Sequence, residues 1–73
     1  MDHPRISQDP DVLVGKPVIR GTRISVELIL RLLGKGHTNE ELTKSYRIER
    51  EDILACQEYA ADVVAEQKSV AAE

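Results

Sequence analysis

The clearest pattern of apolar positions lies between residues 26 and 33. Apolar side chains recur there with the spacing of one helix face, at Val26, Ile29, Leu30 and Leu33. Ser25 precedes this stripe and is a good N-cap, and Gly34-Lys35-Gly36 follows it as a stop signal. The pattern therefore predicts a first helix over residues 26–33. Leu28 and Leu32 add a second apolar edge, so we expect this helix to be buried on two sides.

Two further helices are predicted after the glycines. Thr38 or Asn39 should cap a short second helix that has two glutamates in its first turn and ends near Tyr46. A third helix should run from about Arg50 to about Ala65. Its inner stripe is predicted to consist of Ile53, Cys56, Ala60 and Val63 or Val64.

Residues 1–25 have the pattern of turns and short strands. Val12-Leu13-Val14 is a brief apolar run. Further on, Val18-Ile19 and Thr22-Arg23-Ile24 flank Arg20-Gly21, and the β-branched residues around this glycine predict a hairpin. Its tight turn requires a positive φ, which glycine adopts without strain.

The fold class that follows is mostly α, with a three-helix body and a short N-terminal β-hairpin. Two short helices, a connecting turn and a longer helix are typical of a helix-turn-helix body. The 73 residues form one domain, comprising a hairpin arm (1–25), a helical body (26–66) and a frayed tail (67–73). A domain this small is only marginally stable alone, which favours a second subunit or a partner.

Charge is distributed unevenly along the chain. The net charge is −3, but residues 1–50 hold nine Lys/Arg against seven Asp/Glu, whereas residues 51–73 hold one against six. A polyanion would therefore meet the first two thirds of the chain. The basic side chains of the hairpin and the second turn are the predicted contacts to DNA or to a protein partner, unless they are merely solvated: Arg20, Arg23, Lys44, Arg47 and Arg50.

Catalytic, metal and nucleotide sites are not favoured by the sequence. Pro17 removes a backbone donor where a phosphate loop around Gly15-Lys16 would need one. A metal site needs converging ligands, whereas His3 and His37 lie in a terminus and a turn, and Cys56 lies on an apolar helix face. We therefore expect no enzyme activity and no cofactor.

The expected location is the cytoplasm, away from membranes. The chain begins with polar residues, and no apolar stretch approaches the roughly 20 residues that span a bilayer. One cysteine excludes an internal disulfide. Two tyrosines are the only aromatic side chains, which disfavours binding of single-stranded nucleic acid by base stacking.

The segment from Gly15 to Val26, GKPVIRGTRISV, closely resembles the signature of the domain-of-unknown-function family four-thirty-three. The resemblance extends over about residues 6–62. The flanking segments that follow the same outline are Ile6-Ser7-Gln8-Asp9-Pro10, Leu32-Leu33-Gly34-Lys35-Gly36, Glu40-Glu41-Leu42, Tyr46, Glu51-Asp52-Ile53 and Tyr59-Ala60.

This resemblance implies a homeodomain-like helical body with an N-terminal hairpin. It also implies the antitoxin half of a toxin–antitoxin pair of the VapBC type, whose neighbours resemble PIN-like ribonucleases. Two residues depart from the family pattern: Glu49 lies where a capping Ser or Thr is expected, and Gln57 where an apolar residue is expected. In addition, the carboxylates of Glu51 and Asp52 begin the third helix, which argues against direct reading of DNA by that helix.

The function expected from the sequence is that of an antitoxin-like adaptor. It would bind and neutralise a PIN-like toxin ribonuclease, and could also bind operator DNA as a dimer. The alternatives are a DNA-binding transcriptional regulator without a toxin partner and a structural dimerisation module. We expect a homodimer because the first helix carries more apolar surface than two thin neighbours can cover, with Leu28 and Leu32 in the interface.

Overall fold

The computed structural model describes residues 3–66, which fold into a hairpin and three helices. In chain order the elements are β1 (Ile6–Ser7), a 3-10 turn (Leu13–Gly15), β2 (Val18–Ile19), α1 (Val26–Gly34), α2 (Asn39–Tyr46) and α3 (Arg50–Glu66). This confirms the predicted mostly α body with a short N-terminal β-hairpin. The predicted fraying of residues 67–73 lies outside the described residues.

β2 has a neighbour on each side, and the sequence predicted only one of them. On one side it runs antiparallel to β1, with Ile6 opposite Ile19, a pairing that the sequence did not predict. On the other side the predicted hairpin is present in part, because the Ile19 amide bonds the Ile24 carbonyl at 2.9 Å and Val18 forms an antiparallel bridge with Ser25. Thr22-Arg23-Ile24 forms no strand, since the Thr22 hydroxyl donates to the Ile19 carbonyl and accepts from the Ile24 amide within the turn. The turn itself is as predicted, since the Thr22 amide bonds the Ile19 carbonyl at 3.0 Å and Gly21 has φ +81°.

The apolar run at residues 12–14 forms a tight left-handed turn. Leu13 and Val14 both have φ near +49°, and Gly15 follows with φ +83°. Amides of Gly15 and Lys16 bond the carbonyls of Val12 and Leu13, each at 3.1 Å, which fixes the turn. Val14, which lies in this turn, is 88% exposed.

The first two helices begin at the predicted caps. The Ser25 hydroxyl accepts the Leu28 amide at 3.0 Å, which starts α1. At α2, the Thr38 hydroxyl accepts the Glu41 amide and the Glu41 carboxylate accepts the Thr38 amide, which completes a capping box.

α3 departs from its predicted pattern at both ends. Asp52 supplies the first-turn contact, because its carboxylate accepts the Glu49 amide at 2.9 Å. Gln57 is exposed, so the position where the family pattern expects an apolar residue is not part of the core. The predicted inner stripe is also wrong beyond Ala60, since Val63 and Val64 are 37% and 68% exposed.

The hydrophobic core lies between the hairpin and the three helices. Ile29 of α1 and Ile53 of α3 are fully buried at its centre. The other buried members are Ile6, Ile19, Val26, Leu42, Ile48 and Cys56. Leu28 and Leu32 are half-buried, and Leu32 packs against this core. None of the helices within residues 3–66 combines the length and the apolar character that a membrane crossing requires.

Candidate functional site

Four of the five basic residues predicted from the sequence are exposed in the hairpin turn or around the connection between α2 and α3. We call Arg23, Lys44, Arg47 and Arg50 the basic surface. Within residues 3–66, none of these four side chains forms an ion pair with a carboxylate. Their charges are therefore available to an anionic partner.

Three of them surround the connection between α2 and α3. Lys44 lies in the last turn of α2, and Arg50 is the first residue of α3. Arg47 closes α2 in the left-handed conformation, with φ 56° and ψ 43°. Since this connection is only three residues long, the three residues lie near one another along the backbone.

The fifth predicted residue, Arg20, has a structural contact that the sequence did not indicate. Its guanidinium donates to the carbonyls of Pro4, at 2.6 Å, and Ile6, at 3.1 Å. Arg20 thereby fastens the N-terminal segment to the hairpin turn. Its predicted role in binding stays a prediction, and the basic surface is defined without it.

Arg5 brings the hairpin turn next to the start of α3. Its carbonyl accepts the Arg20 amide at 2.7 Å, while its guanidinium donates to Asp52 at 2.8 Å and to Glu49 at 3.0 Å. The hydrogen bonds to Asp52 and then Glu49 raise the pKa of Arg5 above its usual range. These contacts join the hairpin turn, to which Arg23 belongs, to the start of α3.

The carboxylates at the start of α3 are not equivalent. Asp52 is buried and paired with Arg5, so its charge is directed inward and neutralised. Glu51 is exposed. Of the two carboxylates that argued against DNA reading by the third helix, one is therefore withdrawn from the surface.

A second surface was missed by the sequence analysis. An open groove of about 460 Å³ runs between α1 and the second half of α3, and its lining is almost entirely apolar. We call it the α1–α3 groove. Its lining residues are Pro17, Val26, Glu27, Leu30, Arg31, Tyr59, Ala60, Val63 and Val64. The available signal was the pair Val63-Val64, because the predicted inner stripe of α3 accounted for only one of these two apolar residues.

The remaining reactive side chains are held in structural contacts. Burial raises the pKa of the Cys56 thiol to about 11, with a further contribution from Asp52, which leaves it protonated at neutral pH. The His3 ring contacts Asp62 at 2.7 Å and packs edge-on against Tyr59. Within residues 3–66, no three His, Cys, Asp or Glu side chains gather as a metal site would require.

Comparison with known proteins identifies a family without an assigned activity. The family model described as "Protein of unknown function (DUF433)" matches residues 6–60. No curated protein and no solved structure matches the chain significantly. The matched range includes β1, the hairpin turn, both short helices and the first part of α3.

Proposed function

Because the chain belongs to the DUF433 family, whose description names no activity, we propose a function from its own surface. We propose that it is an antitoxin-like adaptor of the cytoplasm, which binds and neutralises a PIN-like toxin ribonuclease. The observation that carries this proposal is the basic surface, four exposed cationic side chains unpaired within residues 3–66, on a chain of net charge −3.

The chemistry of the basic surface suits a partner rich in carboxylates. Three of its members are arginines, and a guanidinium binds a carboxylate through two parallel hydrogen bonds. The active site of a PIN-like nuclease carries such carboxylates. Arginine side chains that occupy these carboxylates would block the active site of the nuclease.

Arg47 supports a binding role through its backbone. It has φ 56° and an exposed side chain, at a helix end where glycine is the usual residue. A side chain in this conformation costs roughly 1 kcal/mol relative to glycine. An arginine retained at this cost, with no ion pair within residues 3–66, supports a contact outside the chain.

The test is neutralisation of a purified PIN-like nuclease. The purified nuclease is assayed on RNA with wild-type chain, with Arg23→Glu combined with Arg47→Glu, and with the control Lys35→Glu. Lys35 is exposed but lies at the end of α1, outside the basic surface. We expect the double variant to lose neutralisation while the control retains it. Equal neutralisation by all three proteins would contradict the proposal.

A second proposal, DNA binding without a toxin partner, is supported by the α2–α3 connection. Its three residues match the short turn of a helix-turn-helix unit, and Lys44, Arg47 and Arg50 surround it. Each phosphate contact adds about 0.9 to the steepness of the slope of log affinity against log salt concentration. Titration of the chain against its own promoter at several salt concentrations distinguishes this proposal, because salt-independent binding would exclude phosphate contacts.

A further inference from the structure

The α1–α3 groove is large for so small a chain and is left open by the described residues. Val63 and Val64 remain 37% and 68% exposed on its α3 wall, and Leu30 is half-buried on its α1 wall. A contiguous apolar depression with a polar rim marks a binding site for another apolar surface.

An exposed apolar side chain of the same chain lies three residues before Pro17, which lines this groove. Val14 is 88% exposed, the most exposed of the large apolar side chains within residues 3–66. Its φ of +49° is unfavourable for a β-branched residue, and hydrogen bonds within the turn hold it there. Such strain persists at sites where a projecting side chain has a use.

A two-fold interface sets a requirement on where Val14 and the groove lie. In such an interface each copy presents the same surface, so the projecting residue and its receptor must share one face. Pro17 lines the groove and follows Val14 by only three residues. A second copy related by a two-fold axis therefore presents its groove to Val14 of the first copy. By symmetry, its own Val14 faces the groove of the first copy.

The distribution of charge favours insertion of the Val14 turn into the groove over the pairing of two α3 helices. The outer face of α3 carries Glu58 and Glu66, both exposed, and two copies of it would repel. The Val14 turn instead carries the exposed carboxylate of Asp11, whereas at the groove rim Arg31 and Lys16 share the single carboxylate of Glu27, which leaves one positive charge in excess. The two surfaces are thus complementary in charge as well as in polarity.

We propose that the chain forms a two-fold homodimer in which Val14 of each copy inserts into the α1–α3 groove of the other. This interface differs from the one expected from the sequence, which was centred on Leu28 and Leu32. It is independent of the proposed nuclease, because both of its halves belong to this chain.

The first test measures association of the purified chain by analytical ultracentrifugation. Val14→Asp places a carboxylate in the groove and is expected to raise the dimer dissociation constant about a hundredfold or more. Leu54→Asp is the matched control, since Leu54 is 39% exposed on α3 but does not line the groove. It should associate like wild type. Circular dichroism checks folding, which Val14→Asp should preserve because aspartate tolerates positive φ.

Three results would overturn the proposal. The first is a wild-type chain that stays monomeric at concentrations on the order of hundreds of micromolar, well above the dissociation constants of specific dimers. The second is a folded Val14→Asp variant that dimerises like wild type. The third is a Leu28→Asp variant that loses the dimer while Val14→Asp keeps it, which would assign the interface to Leu28 and Leu32.

A second test is cross-linking. Val14→Cys combined with Val64→Cys should give a disulfide-linked dimer on mild oxidation, whereas each single variant should not. The buried Cys56, with a thiol pKa of about 11, contributes little background at pH values near 8. A double variant that stays unlinked while wild type is dimeric, or a Val14→Cys variant that links as fast as the double one, would exclude the proposed arrangement.

Discussion

Left-handed backbone conformations mark both proposed binding surfaces. Among residues 3–66, three non-glycine residues have positive φ, namely Leu13, Val14 and Arg47. Each conformation costs on the order of 1–2 kcal/mol for a residue with a Cβ. Val14 and Arg47 present their side chains to solvent, so neither regains this cost through burial. We infer that both residues serve contacts to other molecules at some expense of stability.

Replacing Arg47 by glycine should therefore stabilise the chain and weaken its binding. We expect the free energy of unfolding in urea to rise by about 0.5–1 kcal/mol, because glycine adopts the left-handed conformation freely. Neutralisation of the nuclease should fall. The control is Lys44→Gly, which should lower stability by about 1 kcal/mol because Lys44 lies within α2. A loss of stability in Arg47→Gly would contradict this argument.

Gly21 should show the opposite response to substitution. Its φ is +81°, and an added Cβ would meet nothing within 4 Å, so the cost of a side chain there is conformational. Gly21→Val is expected to lower the free energy of unfolding by roughly 1–2 kcal/mol. Gly34→Ala is the control, since Gly34 ends α1 without a positive φ and also has open space around it. An unchanged urea midpoint for Gly21→Val would show that the turn is not held in this conformation.

At the scale of elements, Asp52 connects three parts of the fold. Its carboxylate accepts the Glu49 amide at the start of α3 and pairs with Arg5 of the N-terminal segment. Arg5 in turn bonds the hairpin turn through its carbonyl. A buried carboxylate with this set of partners fixes the hairpin against α3, and so orients the basic surface.

Removing the Asp52 carboxylate should loosen this junction. Asp52→Ala leaves the Glu49 amide and the Arg5 guanidinium without their partner, so we expect stability to fall by roughly 1–3 kcal/mol. The neighbouring control, Glu51→Ala, removes an exposed carboxylate and should change stability by less than about 0.5 kcal/mol. Differential scanning calorimetry measures both. Equal melting temperatures for the two variants would show that the Asp52 contacts do not hold the junction.

The sequence predicted those elements whose signals are local. The spacing of Val26 and Ile29 and the caps at Ser25 and Thr38 act within a few residues, and the structure confirms the helices that they begin. The pairing of β2 with Ile6–Ser7 was not predicted, because it depends on a contact across a ten-residue connection. Such a contact leaves no periodic pattern in the chain.

The candidate surfaces were predictable to different degrees for the same reason. Charge is visible in sequence, so Arg23 and Arg47 were found, although the backbone contacts of Arg20 were not. The groove arises only when α1 and α3 are packed together, so it has no local signature. Nothing in a run such as Val12-Leu13-Val14 indicates a left-handed turn, because its residue types normally avoid that conformation.

At the scale of the whole molecule, the two surfaces lie towards opposite ends of α3. Arg50 of the basic surface is its first residue, whereas the groove begins at Tyr59. Nine residues of helix separate these positions by roughly 14 Å. The acidic second half of α3 keeps the groove end unattractive to polyanions, so the charge distribution assigns the anionic partner to one end and the second copy to the other.

This separation predicts that the two interactions can be removed independently. Val14→Asp should abolish dimerisation but leave the affinity of each chain for the nuclease within about twofold, since sites that share no partners are close to additive. Arg23→Glu combined with Arg47→Glu should abolish nuclease binding and leave the dimer intact.

DNA binding should respond to both changes, because a dimer makes twice as many phosphate contacts as a monomer. Loss of the dimer should therefore halve the slope of log affinity against log salt concentration. The measurements are isothermal titration with the nuclease and fluorescence anisotropy with promoter DNA at several salt concentrations. If Val14→Asp weakened nuclease binding as strongly as dimerisation, the groove would belong to the nuclease interface, and a single composite surface would replace the two separate ones.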